Sequence, residues 1–234
     1  KRAKIKEGIN ILDIGCGWGS LSLYLAEKYP NSNITGLSNS SSQKIFIDNK
    51  ASKRNLKNLK IITSDINDFN SSEQFDRIIS IEMFEHTKNS RKLMNSINEW
   101  LKPDGFFFMH VFAHKDNPYY FDKDQNNAWM AKYFFTGGMM PNHHLFQDLK
   151  SDLIYEDSWM LPGTHYEKTS NAWLDNMDLN QIKILELFKQ TNNKKEAKRK
   201  FHFWRLFFIA CAEIFGYNEG SEWVVSHHLF KKSD

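Results

Sequence analysis

Apolar runs alternate with helix-like segments over the first half of the chain. Five apolar runs predict β-strands, at residues 10–14, 34–37, 59–63, 75–81 and 106–112. Helix signals lie between them, at about 19–28, 40–54 and 93–101, and the second segment opens with the capping-box pattern Ser40-x-x-Gln43. Strands that alternate with helices predict an α/β fold with a parallel, doubly wound sheet, whose ligands bind at the carboxyl ends of the strands.

The alternation stops after residue 113. Residues 113–150 are rich in aromatic residues, Asn and His, and we expect them to form an insertion that caps the active site. The remaining pattern predicts a strand at 153–161, a helix at 171–190, a charged turn at 191–200, a largely buried helix at 201–215 and a closing strand at 223–230. We predict one domain over residues 1–234, with the cap insertion at about 113–150 and further helices within about 165–215.

Composition narrows the class of protein. The 234 residues are 41% hydrophobic and 15% aromatic, which is enough for a sizeable core, and the net charge of +3 is too small to indicate a nucleic-acid partner. The two cysteines, Cys16 and Cys211, fit a reducing compartment. Because no apolar run is long enough to span a membrane and no signal peptide is visible, we expect a cytoplasmic protein.

The strongest local signal is a glycine loop that follows the first predicted strand. Gly15, Gly17 and Gly19 alternate in a G-x-G-x-G pattern between that strand and a helix. Glycine permits positive φ and close ligand approach, and the following helix start provides unpaired N–H groups, so the pattern predicts a nucleotide-like ligand. Asp13 can accept hydrogen bonds from that ligand or from the loop. A dinucleotide fold would instead need G-x-G-x-x-G and an acidic residue where Asn39 stands. A glycine turn without a ligand is the third possibility.

Polar side chains follow the next two predicted strands. Asn39 and Gln43 come after the second strand, where their amides can bind ribose hydroxyls. Asp65 and Ile66 come after the third, where the carboxylate can accept from an adenine amino group while Ile66 packs on the ring. The alternative for Asp65 is a helix cap or a turn.

Two carboxylates and an imidazole follow the fourth strand. A helical turn would place Glu82 and Glu85 on one face, next to His86. Neighbouring carboxylates raise one pKa, which suits a proton acceptor, and His86 is a natural partner. The alternative is a surface turn whose charges lie in water.

The remaining histidines give weaker signals. His110 lies in the apolar fifth strand, where it needs a polar partner, and it is either a site residue or a satisfied core histidine. The adjacent pair His143-His144 points apart and lacks a metal-binding motif nearby, so we predict no metal site.

Several of these motifs together resemble one family. Residues 11–19 resemble the first motif of class I S-adenosyl-L-methionine methyltransferases. The runs EMFEH at 82–86, YFFTGG at 133–138 and G-x-H-Y at 163–166 resemble the cyclopropane fatty acid synthase-like methyltransferases. The runs WRLFFIACAE at 204–213 and FGYN at 215–218 are similar to the coclaurine N-methyltransferase branch. The fold class expected is therefore α/β, a doubly wound Rossmann-like methyltransferase sheet with a helical and aromatic insertion that caps the active site.

The resemblance implies S-adenosyl-L-methionine as cofactor and the amine nitrogen of a small, aromatic or alkaloid-like acceptor as the methylated atom. It implies that Glu82, Glu85 and His86 surround that amine and handle its proton. The cofactor contacts expected are Asp13, Gly15, Cys16, Gly17, Gly19, Asn39, Gln43, Asp65, Ile66 and Ile81. The acceptor pocket expected is formed by His110, Tyr133, Phe134, Phe135 and Tyr166.

The family also contains a second chemistry. Its synthases transfer a methylene group to unsaturated phospholipid acyl chains, and residues matching Glu85, His110 and Tyr166 bind a bicarbonate that acts as base. That alternative implies peripheral contact with a membrane, whereas neither chemistry implies an integral membrane segment or nucleic acid. Family members also carry an N-terminal helical region, with a Tyr-Ser pair that touches the cofactor, and we expect it to be missing from this chain, which opens at Lys1.

Overall fold

A computed structural model describes residues 1–122 and 129–233 of the chain. The chain divides into two compact units, the first formed by Lys1–Val111, His144–Trp159 and Ser226–Asp234, the second by Phe112–His143 and Met160–Val225. The predicted cap insertion at 113–150 therefore contributes to both units, and its residues 123–128 lie outside the described part. That the two units form one domain stays a prediction.

The elements follow each other in this order. The first half contains β1 Asn10–Ile14, α1 Ser20–Lys28, β2 Asn33–Ser38, α2 Ser41–Lys53, β3 Leu59–Thr63, β4 Phe75–Ile81, a 3-10 turn Phe84–His86, α3 Ser90–Trp100 and β5 Leu101–His114. The second half contains β6 Tyr119–Tyr120, α4 Trp129–Tyr133, β7 Met139–Met140, β8 Ile154–Leu161, α5 Thr164–Leu179, α6 Gln181–Lys189, α7 Lys194–Gly220 and β9 Trp223–Lys231.

Seven strands form one sheet in the order β3-β2-β1-β4-β5-β9-β8. The pairs β3–β2, β2–β1, β1–β4 and β4–β5 are parallel. This order confirms the predicted doubly wound α/β sheet, because the chain winds outward from β1 in both directions. The predicted closing strand is β9, which lies between β5 and β8.

The amphipathic helix α3 anchors the largest core cluster of the first unit. Leu93, Met94, Ile97 and Trp100 are buried on one face, where they join Phe84, Phe107 and Phe146. Burial of each such side chain contributes about 1.5–3 kcal/mol. The helix begins where the Asn89 side chain accepts a hydrogen bond from the Lys92 backbone N–H at 3.0 Å.

The prediction that Leu101 continues α3 is wrong. Leu101 is the first residue of β5 and pairs with Phe75 of β4. Pro103 explains the change, because a proline disfavours helical backbone at the residue before it and cannot donate to a helix. Leu101 is nevertheless buried, so the helical spacing identified a core residue but assigned it to the wrong element.

Three predictions for the second half need correction. The helix expected at 171–190 is two helices, and the first of them begins earlier, at Thr164. Asn180 separates them, and its side-chain amide donates to the Asn176 carbonyl at 2.8 Å, which closes the end of α5.

The charged turn expected at 191–200 is instead the first part of α7. Asn193 and Glu196 form a reciprocal capping box, in which Asn193 Oδ1 accepts from the Glu196 N–H at 3.0 Å. The helix is also less buried than predicted, because Trp204, Leu206 and Ile209 each remain more than a third exposed. Residues 201–215 are apolar nearly all round, but this part of α7 keeps one side exposed.

Candidate active site

The first unit contains a cavity of about 710 Å³ at the carboxyl ends of β1 to β4. Its size is in the range of pockets that hold cofactors and small ligands. It is lined by Ile14, Gly15, Gly17, Leu37, Ser38, Asn39, Gln43, Ser64, Asp65, Ile66, Asn67, Glu82, Met83, His86, Thr87, Lys88 and Asn89. Four successive strand ends therefore contribute to one site, as the parallel sheet predicted.

The glycine loop forms the wall of the cavity behind β1. The backbone N–H groups of Gly15 and Cys16 both donate to the Leu37 carbonyl, at 3.0 and 2.9 Å, which fixes the loop against β2. Gly17 lines the cavity with a φ of +54°, and a Cβ on it would meet no atom within 4 Å. The loop thus keeps open space directly beside its backbone, where the amino-acid part of a nucleoside ligand can lie.

Asp13 lies behind this wall and does not line the cavity. It is buried, and its Oδ2 accepts a hydrogen bond from Ser22 Oγ at 2.6 Å. Burial raises the pKa of Asp13 to about 6, although hydrogen bonds from Ser22 act in the opposite direction. Asp13 therefore ties the end of β1 to the first turn of α1.

Six of the ten predicted cofactor residues line the cavity: Gly15, Gly17, Asn39, Gln43, Asp65 and Ile66. The other four are Asp13, Cys16, Gly19 and Ile81, which the lining does not include. Cys16 is buried, and burial raises the pKa of its thiol to about 12. Gly19 caps the start of α1, and Ile81 is the last residue of β4.

Only one of the two hydrogen bonds of the predicted capping box forms at the start of α2. Ser40 Oγ accepts from the Gln43 N–H at 3.4 Å, but the Gln43 side chain accepts from Ser38 Oγ at 2.6 Å instead of returning to Ser40. Its amide nitrogen carries two further donors. Gln43 is consequently oriented by the end of β2 and lines the cavity.

Asp65 forms a turn and also lines the cavity. Its Oδ1 accepts from the backbone N–H and the side-chain amide of Asn67, both at 2.8 Å, so it closes a turn. The described residues make no hydrogen bond to its Oδ2. The second oxygen is therefore available to a ligand in the cavity that Asp65 lines.

Glu82 follows β4 with a left-handed backbone, at a φ of +54°. A bulky residue adopts that conformation at a cost of about 1–3 kcal/mol, and such strain is concentrated at functional sites. The Glu82 N–H donates to the His110 carbonyl at 3.0 Å, and Glu82 Oε1 lies 3.0 Å from His110 Nε2. His110 on β5 thus holds the backbone of Glu82, and its ring lies beside the carboxylate.

The helical turn expected over the acidic cluster covers only Phe84–His86. Glu85 is buried within it, whereas His86 is exposed and lines the cavity with Glu82. Glu82 therefore reaches the cavity through its unusual backbone and not through shared helical spacing with Glu85.

A histidine that the sequence analysis missed lies behind His110. His227 on β9 places its Nε2 2.9 Å from His110 Nδ1, and the two rings are 4.7 Å apart. The same signal that identified His110, a polar residue within an apolar strand, is present in WVVSHHLFK at 223–231.

The other predicted pocket residues belong to the second unit, where they form part of an aromatic cluster. Phe134 stacks on Phe207 at 4.2 Å, Phe135 stacks on Phe121 at 4.9 Å, and Tyr166 stacks on Phe215 at 4.9 Å. Tyr133 lies 5.1 Å from the Phe203 ring and is about half exposed. Their role in acceptor binding stays a prediction.

Two searches of the described residues were negative. Residues 1–122 and 129–233 contain no group of three His, Cys, Asp or Glu side chains that could hold a metal ion. Within the same residues, no helix has the length and apolar character needed to cross a membrane.

Known proteins match nearly the whole chain. The family model of mycolic acid cyclopropane synthetase matches residues 1–222. (S)-Coclaurine N-methyltransferase of Thalictrum flavum subsp. glaucum is 39% identical over 99% of this chain and 65% of its own length. The enzyme of the same name from Papaver somniferum is 36% identical over 99% of this chain and 67% of its own length.

A solved structure shows the same fold. The crystal structure of coclaurine N-methyltransferase bound to N-methylheliamine and SAH matches with a TM-score of 0.94 and 37% identity, over 99% of this chain and 69% of that one. The chain thus spans about two thirds of the length of the curated relatives it matches.

Proposed function

We propose that the chain, which belongs to the mycolic acid cyclopropane synthetase family, methylates the amine nitrogen of a small acceptor with S-adenosyl-L-methionine as donor. The coclaurine N-methyltransferases among its relatives and the crystal structure that contains N-methylheliamine support an amine acceptor. The observation that carries the proposal is the cavity-lining carboxylate of Glu82, which follows a strained backbone and lies 3.0 Å from His110 Nε2.

The cavity residues fit the proposed donor. Asp65 Oδ2 can accept from the adenine amino group while Ile66 packs on the ring, and Asn39 and Gln43 lie where ribose hydroxyls need polar partners. The space beside Gly17 suits the amino-acid part. When bound, S-adenosyl-L-methionine supplies an electrophilic methyl group on a sulfonium centre. Of the four remaining predicted contacts, we propose Asp13, Cys16 and Gly19 as supports of the loop and Ile81, the last residue of β4, as a support of the strand end before Glu82.

Glu82 is the proposed proton acceptor. A protonated amine has no lone pair with which to attack a methyl group, so a base must remove its proton first. Because Oε1 faces His110, the second oxygen of Glu82 can take that proton, and Glu85 and His86 on the adjoining turn are the proposed assistants. Positioning of the nucleophile against the methyl group contributes several kcal/mol more.

Aromatic residues of the second unit are the proposed walls of the acceptor pocket. Substitution of Tyr133 tests this role most sharply, because Tyr133 is about half exposed and its ring packs on Phe203. Tyr133→Ala should change KM for the acceptor while it leaves the affinity for S-adenosyl-L-methionine unchanged. Equal loss of donor binding would remove Tyr133 from the proposed pocket.

We also propose a cytoplasmic location, because the two cysteines, Cys16 and Cys211, form no disulfide, as is usual in a reducing compartment.

The deciding experiment compares Glu82→Gln with the unaltered chain. Labelled S-adenosyl-L-methionine is offered with a panel of small aromatic amines and, separately, with vesicles of unsaturated phospholipid, each with and without bicarbonate. Loss of the base should lower the rate of amine methylation by about 10²–10⁴-fold. Glu99→Gln is the control, because Glu99 is an exposed carboxylate on α3. An active Glu82→Gln variant whose reaction depends on bicarbonate would overturn the proposal in favour of methylene transfer to acyl chains.

A further inference from the structure

Four polar side chains form a continuous row in the first unit. Arg2 Nη1 lies 2.6 Å from His227 Nδ1, and His227 Nε2 lies 2.9 Å from His110 Nδ1. His110 Nε2 lies 3.0 Å from Glu82 Oε1. His227 is on β9, His110 is on the neighbouring strand β5, and Glu82 follows the next strand, β4. The row therefore crosses three adjacent strands and ends at the carboxylate that lines the cavity.

Arg2 sets the direction of the two hydrogen bonds in this row, Arg2–His227 and His227–His110, whereas His110 and Glu82 are in close contact without hydrogen-bond geometry. A guanidinium group has only donors and keeps its charge, so His227 Nδ1 must accept and its proton must be on Nε2. That N–H then donates to His110 Nδ1, which must accept in turn. The proton of His110 is consequently on Nε2, the atom that faces Glu82 Oε1.

We propose that Arg2 and His227 are positioning residues that fix the proton of His110 on Nε2, the nitrogen that lies 3.0 Å from Glu82 Oε1. The inference rests on the proposed role of Glu82 as the base. An N–H group fixed beside Oε1 stabilises the negative carboxylate electrostatically and leaves its second oxygen for the amine proton. The reverse order would turn an acceptor nitrogen of His110 toward the carboxylate, and Glu82 would lose its support.

The surroundings of Arg2 and His227 keep the row in one arrangement. The Arg2 guanidinium lies over the Trp159 ring at 5.0 Å, and the Phe108 ring contacts His227 edge-on at 5.2 Å. Burial, followed by the neighbouring His110 and Arg2, lowers the pKa of His227 to about 3. His227 therefore stays neutral around pH 7, so its single proton must occupy one nitrogen.

The proton order can be measured without any reaction. We would label the histidines of the full chain with ¹⁵N and record which ring nitrogen of His110 and His227 carries hydrogen. In the unaltered chain both protons should be on Nε2. In Arg2→Met the Nδ1 form of His227 should become populated, because methionine provides no donor. Arg2→Lys should keep the original order, because lysine also carries only donors.

The kinetic arm tests the consequence for Glu82. Arg2→Met should lower kcat by about 10–100-fold, as loss of a partner that fixes a histidine tautomer does elsewhere. KM for S-adenosyl-L-methionine should not change, and Arg2→Lys should recover most of the lost rate. Arg54→Met is the matched control, since Arg54 pairs with Glu27 at the surface at 3.3 Å. That control should leave both the proton order and the rate unchanged.

The two arms separate this proposal from the proposed function. An Nδ1 proton on His227 in the unaltered chain would overturn the proposal, as would an unchanged proton order and rate in Arg2→Met. If the unaltered chain shows the expected order and responds to Arg2→Met but methylates no amine, the hydrogen-bond order is supported and the failure belongs to the proposed function alone.

Discussion

Gly17 in the first unit and Gly163 in the second occupy opposite environments. Gly17 has a φ of +54°, and a Cβ on it would meet nothing within 4 Å. Gly163 has ordinary helical backbone, with a φ of −61°, but a Cβ on it would fall 2.0 Å from the Trp223 carbonyl oxygen and 2.4 Å from that of Phe215. The first glycine borders empty space, whereas the second lies between backbones in contact.

The difference shows two separate reasons for a glycine. In the loop after β1, glycine permits an unusual backbone and leaves room for a ligand. At the start of α5, glycine permits close packing against the end of α7 and the start of β9. Only the first reason was visible in the sequence, because it follows from a local strand-loop-helix order. The second depends on segments more than 50 residues away.

The largest expected effect comes from adding a methyl group at Gly163, in the packed region. Gly163→Ala should lower the free energy of unfolding by about 3 kcal/mol or more, because neither carbonyl can move without disturbing its own strand or helix. Gly137→Ala is the control in the same unit, since a Cβ there meets nothing within 4 Å and its φ of +76° costs only about 1 kcal/mol. Thermal and urea unfolding of both variants measure the difference. Equal losses would show that space at Gly163 is not limiting.

The second prediction concerns the buried acid that supports the glycine loop. Because the pKa of folded Asp13 is raised to about 6 from its ordinary 3.8, the folded chain binds this proton more tightly than the unfolded chain. The stabilisation is present below about pH 4 and is lost as the pH rises through about 6. Asp13→Asn cannot ionise and keeps an oxygen for Ser22, so it should escape that loss.

Urea unfolding at pH 4 and pH 7 tests the sign. Relative to the unaltered chain, Asp13→Asn should gain on the order of 2–3 kcal/mol in free energy of unfolding between about pH 4 and pH 7, at about 1.4 kcal/mol per pKa unit. Asp148→Asn, at an exposed position, should show no such gain. Parallel pH curves for Asp13→Asn and the unaltered chain would mean that burial does not raise the pKa of Asp13.

The third prediction concerns Asp65, in the region that faces the ligand. Asp65→Asn keeps an Oδ1 for the turn with Asn67 but replaces the second oxygen by an amide nitrogen. The affinity for S-adenosyl-L-methionine should fall by about 2 kcal/mol, roughly thirtyfold in Kd, while the melting temperature hardly changes. Asn67→Ala is the control for the turn. If calorimetry shows that Asn67→Ala weakens binding as much as Asp65→Asn, the turn and not the carboxylate governs affinity.

The sequence predicted the features that depend on local order, as at Gly17, better than those that depend on distant segments, as at Gly163. The bounds of β3 and β4 agree with the prediction to the residue, because short apolar runs between turn residues define buried strands locally. Eight predicted site residues, six expected at the cofactor together with Glu82 and His86, line the cavity, since parallel strands bring their carboxyl ends to one edge. The motifs that resemble a family supplied the chemistry, which periodicity could not.

The failures lie where a residue depends on a distant partner. Asp13 faces Ser22 and not the cavity, which the loop pattern alone could not decide. Arg2 and His227 are 225 residues apart and meet only through strand order. The start of α7 was missed although Asn193-x-x-Glu196 is a local capping signal, because the basic residues around it suggested a solvated turn.

The smallest expected effect concerns charge in the packed region. Arg205 on α7 donates two hydrogen bonds to Asp178 on α5, at 2.6 and 2.8 Å, and the pair lies at the surface. Arg205 lowers the pKa of Asp178 through these hydrogen bonds, but exposed pairs contribute only about 0–1 kcal/mol. Arg205→Met should therefore cost less than about 1 kcal/mol of unfolding free energy, and the cost should shrink in high salt. A loss as large as that of Gly163→Ala, unaffected by salt, would mean that this pair and not close backbone packing holds α5 against α7.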